Sequence, residues 1–341
     1  MNVLVTGCAG FLGSELCKKL LEAGHMVYGI DDLSCGFKEN LHDFWDDVDH
    51  FVWLEKDIRN DDCYRFIDHA LRGRKLDVIY HFAARGEVYW CQDNPTNAVD
   101  VNVNGTLKVL EYAAQKKVKH FIFTDTSAEY DNIDLFPTEE LDAPNAETPR
   151  GIYSITKMTA AQFVRAFSEE HGFGATIFRP FNVYGPTMNL ERDIPPVIGS
   201  FTKRMLEGHS PIIYGDGSKR RDFIYVDDIT ELFMRVLSYR EQGTVRASDY
   251  YRLFKNNSRT FNAGTGENYS IYEIYELVSR EIFGGKDNWL VPMFKQDQSG
   301  EAEITLAYMR NTTSFFEWKP TTSIEDGIKL TVRSIHEKMQ A

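Results

Sequence analysis

Cysteine is scarce in this sequence, and the cysteines that occur form no motif. There are five, Cys8, Cys17, Cys35, Cys63 and Cys91, an odd number without a CxxC pair. Scattered cysteines of this kind argue against a disulfide framework and against a zinc site with cysteine ligands. They are typical of reduced thiols, so we expect a cytoplasmic protein that holds no metal.

Long apolar runs are also missing. No window approaches the ~20 apolar residues that a membrane-spanning helix needs. The sequence begins with MNVLVTG, which is typical of a strand and a turn, and it shows no basic segment followed by an apolar one, the pattern of a signal peptide. We therefore expect no membrane partner.

Positive charge is in deficit, with 38 lysines and arginines against 51 acidic residues and a net charge of −13. A general nucleic-acid-binding protein needs a basic face, so the deficit argues against that class. It does not exclude an anionic small ligand, because backbone amides and a few arginines can form a phosphate site locally. The 341 residues, 43% of them hydrophobic, exceed one typical domain and can bury a large core.

Short apolar runs alternate with helical patterns over the first 180 residues, and the runs are apolar on both faces, as buried parallel strands are. The predicted strands are Asn2–Thr6, Met26–Ile30, Val52–Glu55, Val78–Phe82, Phe121–Thr124 and Thr176–Arg179. The predicted helices between them are Phe11–Ala23, Ala98–Lys116 and Tyr153–His171. This alternation predicts an α/β fold, a Rossmann-type doubly wound parallel sheet.

The sequence changes character beyond residue 180, where turn formers such as those of VYGPTMNLERDIPP become frequent. Two predicted helices, Val197–Glu207 and Ile271–Ile282, are separated by irregular stretches, and the polar region Gln242–Arg259 predicts a loop insertion. We expect residues 1–180 to form one domain, with a returning segment near 222–240. Residues 181–341 would form mainly a smaller second part.

A glycine-rich turn follows the first predicted strand. Gly7 permits the tight turn, Gly10 lets the backbone approach a pyrophosphate, and Gly13 lets the helix pack close to the strand. The N-terminus of that helix, at Phe11 and Leu12, supplies free N–H groups and a partial positive charge. Because the triplet lies between a strand and a helix, it predicts a dinucleotide-binding site.

The second predicted strand leads directly into two acidic residues, Asp31 and Asp32. A carboxylate at this position accepts hydrogen bonds from both hydroxyls of an adenosine ribose and repels a 2′-phosphate, which favours NAD over NADP. One of the two carboxylates could instead cap a turn. We predict that Asp31 is the ribose ligand.

A tyrosine four residues before a lysine places both side chains on one helical face. A neighbouring ammonium stabilises the phenolate and lowers the phenol pKa from its usual value of about 10, so the pair can act as acid and base on a substrate hydroxyl. The spacing occurs three times, at Tyr112/Lys116, Tyr153/Lys157 and Tyr251/Lys255.

Context favours the second of these pairs. The first lies late in its helix, and the third lies in the polar insertion. Tyr153 begins the helix that follows the strand Phe121–Thr124, and Thr126 offers a hydroxyl at the end of that strand. Because ligands of open α/β sheets lie at the carboxyl ends of strands, we predict that Thr126, Tyr153 and Lys157 form the catalytic group.

Together these motifs resemble the extended short-chain dehydrogenase/reductase family, the NAD-dependent nucleotide-sugar epimerases and dehydratases. The resemblance covers nearly the whole chain. It rests on VTGCAGFLGS, DDLSCGFKENL, Asp57-Ile58, HFAA, NVNGT, YSITK, RPFNVYGP and YGDGSKRRDFIYVDD, which occur in the family's order. The DDLSCG and GDG…RRDF segments are most similar to those of the UDP-glucose/UDP-N-acetylglucosamine 4-epimerases.

The resemblance implies roles for individual residues. Tyr153 would be the acid–base group. Lys157 would adjust the pKa of Tyr153 and bind the nicotinamide ribose, and Thr126 would donate a hydrogen bond to the reacting sugar oxygen. The further cofactor contacts that it implies are those of Asp57 and Ile58 at the adenine and of Phe82, Ala83, Ala84, Asn102 and Pro180. The implied substrate contacts are those of Arg85, Asn182, Arg221, Glu301 and Thr305.

Three of the implied substrate residues have alternative explanations. Asn182 and Arg221 match positions that hold the substrate diphosphate, to which an amide and a guanidinium both donate. Asn182 could instead be a turn residue, and Arg221 could be a surface ion-pair partner. Thr305 matches a position beside the C2 substituent of the sugar, where a small side chain leaves room for an acetamido group. It could also simply continue the strand-like stretch EITLA.

The sequence departs from the family pattern in ways that bear on the reaction. The 4,6-dehydratases carry an acidic pair directly after the catalytic threonine, and the UDP-glucuronate decarboxylases carry a glutamate at the position of Ala128. Here Ser127 and Ala128 occupy these positions and Glu129 comes one position later, which favours epimerisation.

Other departures concern the substrate. Gln298 stands where 4-epimerases commonly have an arginine that clamps phosphate, and Lys219 or Arg220 could replace it. Asp131 stands where a glycine is usual, and the segments Arg85-Gly86-Glu87 and Tyr89-Trp90 give the loop near the sugar an unusual lining. These departures leave the identity of the sugar open.

The resemblance therefore implies NAD-dependent epimerisation of a nucleotide-activated sugar, a UDP-hexose or UDP-N-acetylhexosamine at C4, by transient oxidation to a keto-sugar. One alternative is a dehydratase, decarboxylase or reductase of the same family that uses Glu129 or a loop residue. Another is a non-catalytic NAD-binding scaffold. Family members commonly pair the helices that correspond to Ala98–Lys116 and Tyr153–His171 into a four-helix bundle, so we expect a homodimer.

Overall fold

The computed structural model describes residues 1–131, 133–140, 151–192, 194–241, 258–297 and 302–340. The chain divides into two compact units. The first unit comprises Met1–Tyr130, Ala146–Arg179 and Thr230–Phe261, and the second comprises Asp131–Asn145, Pro180–Ile229 and Asn262–Ala341. None of the helices in the described part of the chain combines the length and the apolar character that crossing a bilayer requires.

The first unit is built on a seven-stranded sheet. Its strands are β1 (Asn2–Thr6), β2 (Met26–Asp31), β3 (Phe51–Glu55), β4 (Val78–His81), β5 (His120–Thr124), β6 (Gly174–Pro180) and β11 (Ser258–Ala263). Their order in the sheet is β11-β6-β5-β4-β1-β2-β3. Strands β1 to β6 pair in parallel, which confirms the predicted Rossmann-type sheet. Thr6 lies opposite both Ile30 and His81, so the carboxyl ends of β1, β2 and β4 meet at one edge.

Helices cover the sheet because its strands carry large apolar side chains on both faces. The helices before β6 are α1 (Phe11–Glu22), α2 (Asp61–Leu71), α3 (Val88–Asp93), α4 (Pro95–Val99), α5 (Thr106–Lys116) and α6 (Ile152–His171), and α8 (Val226–Glu241) precedes β11. Tyr28, Phe121 and Phe123 are fully buried among them. Each such side chain contributes roughly 1.5–3 kcal/mol to folding.

The helix that we predicted over Ala98–Lys116 is present, but it is not α-helical throughout. A π-helical turn, Asp100–Gly105, separates α4 from α5. Within it the Asn102 carbonyl oxygen accepts a hydrogen bond from the Thr106 hydroxyl at 2.6 Å. The side chain of Asn102 is buried and bonded to other segments, a long-range requirement that helical periodicity does not reveal. Turns of this kind occur frequently at functional sites.

In its described residues, the second unit contains three short strand pairs and packed helices. Its strands are β7 (Asn182–Tyr184), β8 (Ile212–Tyr214), β9 (Arg220–Arg221), β10 (Phe223–Tyr225), β12 (Tyr269–Ser270) and β13 (Met293–Lys295). Its helices are α7 (Val197–Leu206), α9 (Ile271–Phe283), α10 (Arg310–Phe316) and α11 (Ile324–Gln340). The carboxylate of Asp222, buried between β9 and β10, accepts hydrogen bonds from the N–H groups of Thr265, Gly266 and Ala307 and so fixes the loops beside β9.

Candidate active site

The turn after β1 has a backbone that requires glycine. Gly7 has φ +74°, and a Cβ on this residue would lie 2.7 Å from the backbone nitrogen of Ala83. A Cβ on Gly13 would lie 2.0 Å from the Gly7 carbonyl oxygen, so only glycine allows α1 to begin this close to the turn. Gly10 immediately precedes α1. The first N–H groups of the helix, those of Phe11 and Leu12 included, lack carbonyl partners within the helix and suit an anion.

The two aspartates after β2 have different surroundings. Asp31 is buried, and its carboxylate accepts hydrogen bonds from the N–H groups of Ala9 and Leu33, each at 2.8 Å. Burial raises the pKa of Asp31, and these backbone donors act in the opposite direction. Asp32 is exposed and accepts from the Ser34 N–H at 2.9 Å, so it caps the following turn. Asp31 is therefore the carboxylate that is tied directly to the glycine-rich turn.

The predicted cofactor residues after β3 and β4 lie at the same edge of the sheet. Asp57 is half-buried, and hydrogen bonds from Arg59 hold its carboxylate and lower its pKa. The N–H groups of Phe82 and Ala83 both donate to the Thr6 carbonyl oxygen, at 3.0 and 3.1 Å. Of the other predicted cofactor residues, Ile58 is buried beside Asp57, Ala84 follows Ala83 directly, and Pro180 ends β6.

Asn102 joins two segments that carry predicted site residues. Its Oδ1 accepts from the Arg85 N–H at 2.7 Å, and its Nδ2 donates to the Arg85 carbonyl oxygen and to the Thr156 hydroxyl, both at 3.0 Å. The Arg85 guanidinium lies 4.5 Å from the centre of the Trp90 ring and donates to the Ser34 carbonyl oxygen. Asn102 thus fixes the loop after β4 against the first turns of α6.

Two of the predicted catalytic residues, Lys157 and Thr126, lie at the end of β5, and Tyr153 lies beside the loop after β4. Lys157 is buried, with its Nζ 4.3 Å from the centre of the Phe123 ring, and burial lowers its pKa to about 8 although Asp125 and Glu129 oppose the shift. Thr126 is buried, and its Oγ1 accepts from the Ala128 N–H at 3.1 Å. Tyr153 is half-buried in the first turn of α6, and a Cβ on Gly86 would lie 4.0 Å from its hydroxyl.

The competing pair Tyr112/Lys116 is engaged elsewhere. The Tyr112 hydroxyl donates to the Asp68 carboxylate at 2.7 Å, and Lys116 forms an ion pair with the same carboxylate at 2.5 Å. Burial and the hydrogen bond with Asp68 raise the pKa of Tyr112, the opposite of what a catalytic base needs. The third pair, Tyr251/Lys255, lies outside the described residues.

A cavity of about 440 Å³ lies within the second unit. Its wall contains two of the predicted substrate residues, Asn182 and Arg221, and the aromatic side chains of Phe201, Tyr214 and Phe223. Among the residues that the structure describes, the cations on its wall besides Arg221 are Arg192, Lys203, Arg204 and Lys219, and the carboxylate of Glu207 also lines it. A cavity with apolar walls and an excess of cations suits an aromatic ring that carries a phosphate group.

Thr305 supports this wall. Its Oγ1 accepts from the Asp222 N–H at 3.1 Å and from Asn182 Nδ2 at 3.4 Å. The Thr305 N–H donates to the Arg220 carbonyl oxygen, and Ile304 pairs with Arg220 as an isolated bridge. The structure thus gives Thr305 a strand-like backbone partner and a hydroxyl that orients Asn182.

The candidates for a replacement phosphate clamp also differ in position. Lys219 is buried on the cavity wall, where it pairs with Asp297 at 2.8 Å. The Arg220 guanidinium donates to Asn268 and pairs with Glu273. Glu301 and Gln298 lie outside the described residues.

Sequence reasoning missed two groups of residues. One is the set of cavity-lining cations on α7 and on the segment before it, Arg192, Lys203 and Arg204. The other is a buried cluster at the end of β5, formed by Asp125, Glu129 and Arg179. Asp125 directly after the apolar strand and Glu129 four residues later were a signal for this cluster, but the sequence does not show that an arginine of β6 contacts them.

Comparisons with known proteins show which family this chain is similar to. Residues 3–250 match the NAD dependent epimerase/dehydratase family. A UDP-glucose 4-epimerase of Mycolicibacterium smegmatis is 30% identical over 341 residues, which is 100% of both chains. The structure of a UDP-glucose 4-epimerase from Thermotoga maritima with UDP-glucose superposes with a TM-score of 0.85 at 29% identity, over 99% of this chain and 100% of the other.

A UDP-glucuronic acid 4-epimerase from Bacillus cereus, in complex with UDP-glucuronic acid and NAD, is similar over the same extent. Its TM-score is 0.82 at 25% identity, over 99% of this chain and 100% of that one. Together with the sheet order, the glycine-rich turn and the pair Tyr153/Lys157, these findings establish that the chain belongs to the NAD-dependent epimerase/dehydratase family.

Proposed function

We propose that this protein is an NAD-dependent epimerase that inverts C4 of a nucleotide-activated sugar through a transient keto-sugar. One observation carries the proposal. The glycine-rich turn, Asp31, the Ala83–Arg85 loop and Thr126 all follow strands of one parallel sheet at their carboxyl ends, where ligands of such sheets bind. Lys157, on α6, lies beside Phe123 of β5, and Tyr153 lies in the first turn of the same helix.

The residues of the first unit fit NAD. A Cβ at Gly7 or Gly13 would collide with backbone atoms, so neither position can carry a side chain. The helix N-terminus that a pyrophosphate requires therefore stays free of side chains from this turn. Asp31, already held by Ala9 and Leu33, has lone pairs left for ribose hydroxyls. We assign Asp57 and Ile58 to the adenine, and Lys157 to the nicotinamide ribose. Bound NAD supplies reversible hydride transfer at the sugar carbon.

Proton transfer is the task of the chain itself. We assign Tyr153 as the group that removes the proton from the sugar hydroxyl and later returns it. The buried ammonium of Lys157, with a pKa of about 8, favours the phenolate form of a neighbouring tyrosine. Thr126 would donate a hydrogen bond to the reacting sugar oxygen and hold it at Tyr153.

We assign the nucleotide of the substrate to the cavity of the second unit. Asn182, Arg221 and Lys219 would donate to diphosphate oxygens, and the apolar and aromatic wall would hold the base. Uridine is the base that we propose, because the similar enzymes described above are named for UDP-sugars. We also propose that Thr305 leaves room for an acetamido group at C2.

Dehydration is the main alternative, and the position of Glu129 argues against it. A dehydratase needs a carboxyl group that reaches the substrate, but Glu129 is buried and in contact with Arg179. Ser127 and Ala128, the two residues directly after Thr126, supply no carboxyl group. A non-catalytic scaffold would not need a lysine buried at an energetic cost, and the lowered pKa of Lys157 therefore favours an enzyme.

The test is a panel of UDP-, GDP- and dTDP-sugars, glucuronic acid and N-acetylated forms included. Products are identified by proton NMR and mass spectrometry. We expect products of unchanged mass with an inverted C4, formed from UDP-sugars first. A product lighter by one water or one carbon dioxide would establish the alternative reactions. Turnover of no sugar, together with NAD released on denaturation, would establish the scaffold.

We further propose that the protein is a cytoplasmic homodimer, paired through the helical region 95–116 and through α6. The scattered reduced cysteines support the compartment. Light scattering at micromolar concentration should report twice the chain mass. A monomer at that concentration would contradict the dimer.

A further inference from the structure

Three ionisable side chains are buried together at the carboxyl end of β5. Asp125, Glu129 and Arg179 are 2%, 1% and 3% exposed. Arg179 Nε lies 3.2 Å from Asp125 Oδ2, and its Nη2 lies 2.6 Å from Glu129 Oε2. Its Nη1 donates to the Tyr130 hydroxyl at 3.0 Å. Removing three such groups from water is costly, so each needs a hydrogen-bonding or oppositely charged partner inside the protein.

The carboxyl oxygens of Asp125 and Glu129 outnumber the protein donors that reach them. The carboxyl groups of Glu129 and Asp125 lie within hydrogen-bonding reach of each other. Asp125 Oδ1 and Glu129 Oε1 are buried, and neither accepts from a donor among the residues that the structure describes. Two adjacent carboxylates cannot both remain ionised without strong repulsion, so a proton between them resolves the conflict.

Neighbouring elements contribute further charges. Burial, and next the charge of Asp125, raise the pKa of Glu129 to about 9, while the cations Arg179 on β6 and Arg165 on α6 oppose the shift. Lys157, also on α6, is within electrostatic reach of Asp125 and Glu129. At neutral pH Glu129 therefore keeps its proton, and its O–H can donate a hydrogen bond to the Asp125 carboxylate.

This cluster encloses the segment that carries Thr126. Asp125 precedes Thr126, and Glu129 and Tyr130 end the 3₁₀ turn that follows it, Ser127–Tyr130. The Glu129 N–H donates to the Thr126 carbonyl oxygen at 3.4 Å. Arg179 thus contacts residues on both sides of Thr126: Asp125 before it, and Glu129 and Tyr130 after it.

We propose that Glu129 is a positioning residue, a neutral carboxylic acid that donates to Asp125 while Arg179 holds both acids and thereby orients the Thr126 hydroxyl. Sequence reasoning considered Glu129 only as a possible catalytic acid. The structure gives it contacts inside the protein instead. The importance of Thr126 rests on the proposed function, whereas the protonated state of Glu129 does not.

Infrared difference spectroscopy tests the protonated state without any substrate. The spectrum of the parent minus that of Glu129→Gln should show the C=O stretch of a protonated carboxylic acid at pH 7. The band should disappear as the pH rises through about 9. Glu22→Gln, at an exposed glutamate near the end of α1, is the control and should leave this band unchanged. Absence of the band at pH 7, or its persistence in Glu129→Gln, would overturn the proposal.

Kinetics test the positioning role. Glu129→Gln preserves one donor and one acceptor, so kcat should stay within about threefold of the parent. Glu129→Leu leaves Asp125 without its donor, so kcat should fall about tenfold or more with little change in KM. Loss of turnover in Glu129→Gln equal to that in Glu129→Leu would show that the carboxyl group acts in the chemistry, and would overturn the positioning role. Because the infrared result does not depend on turnover, failure of the proposed reaction can be distinguished from failure of this proposal.

Discussion

Tyr153 and Tyr112 are the most direct comparison at the residue scale, since each lies four residues before a lysine on a helix. We expect Tyr153→Phe to fold and to retain NAD but to lose about 10²–10⁴-fold in kcat, because only the proton-transfer group is removed. Tyr112→Phe loses a hydrogen bond to Asp68 and should keep its turnover. Steady-state kinetics of both variants decide, and the reverse order of effects would show that the wrong pair was chosen.

Lys157 should be a residue whose burial costs stability. Its pKa in the folded protein, about 8, lies below that of an exposed lysine, so unfolding takes up a proton between the two values. The destabilisation is therefore fully present below pH 8 and is relieved as the pH rises from 8 towards the value of an exposed lysine. Lys157→Met should raise the free energy of unfolding of cofactor-free protein at pH 7 by about 1–3 kcal/mol while abolishing turnover.

The matched control is Lys329→Met, at an exposed position of α11, which should change stability by less than about 0.5 kcal/mol. Thermal unfolding at pH 7 and at pH 10 measures the effect. If Lys157→Met is less stable than the parent at pH 7, or if it is more stable than the parent by the same amount at pH 7 and pH 10, burial of the lysine charge does not cost stability as described.

At the element scale, the junction of β1 and α1 depends on glycine for its closeness. Gly13→Ala would place a methyl group on the Gly7 carbonyl oxygen, and the shift needed to relieve this contact should cost about 1–3 kcal/mol and displace the N–H groups that bind phosphate. We expect Gly13→Ala to release less NAD on denaturation than the parent and to have a lower melting temperature. Gly285→Ala, where φ is −65° and no atom lies within 4 Å, should behave like the parent. Full NAD content in Gly13→Ala would contradict this role of the turn.

The elements that sequence alone predicted well are those with local causes. The strands from Asn2–Thr6 to Gly174–Pro180 appear within one or two residues of their predicted bounds, because buried parallel strands are continuous apolar runs. The π-helical turn Asp100–Gly105 was not predicted, since it serves contacts of Asn102 with segments far away in the sequence. The contact of Arg179 with Glu129 was missed for the same reason, because it joins β6 to the turn after β5 across about 50 residues of sequence.

At the scale of the whole molecule, we assign one task to each unit. The first unit would hold NAD and transfer the proton, and the second would hold the nucleotide in its cavity. The first assignment follows from motifs that share one edge of a sheet and was readable from the sequence. The composition of the cavity was not readable, because its wall combines residues of α7, β8 and β9 whose spacing in the sequence shows no pattern.

The central claim is that oxidation and reduction cancel within one turnover, with the hydrogen of the sugar carbon returned to the same carbon. A UDP-sugar carrying deuterium at C4 tests this directly when its product is examined by NMR and mass spectrometry. The account predicts a C4-inverted product that retains the deuterium at C4, with no hydrogen taken up at C4 when unlabelled substrate reacts in deuterated water. Exchange of the C4 label with solvent, or transfer of the label to another carbon with loss of water, would contradict it.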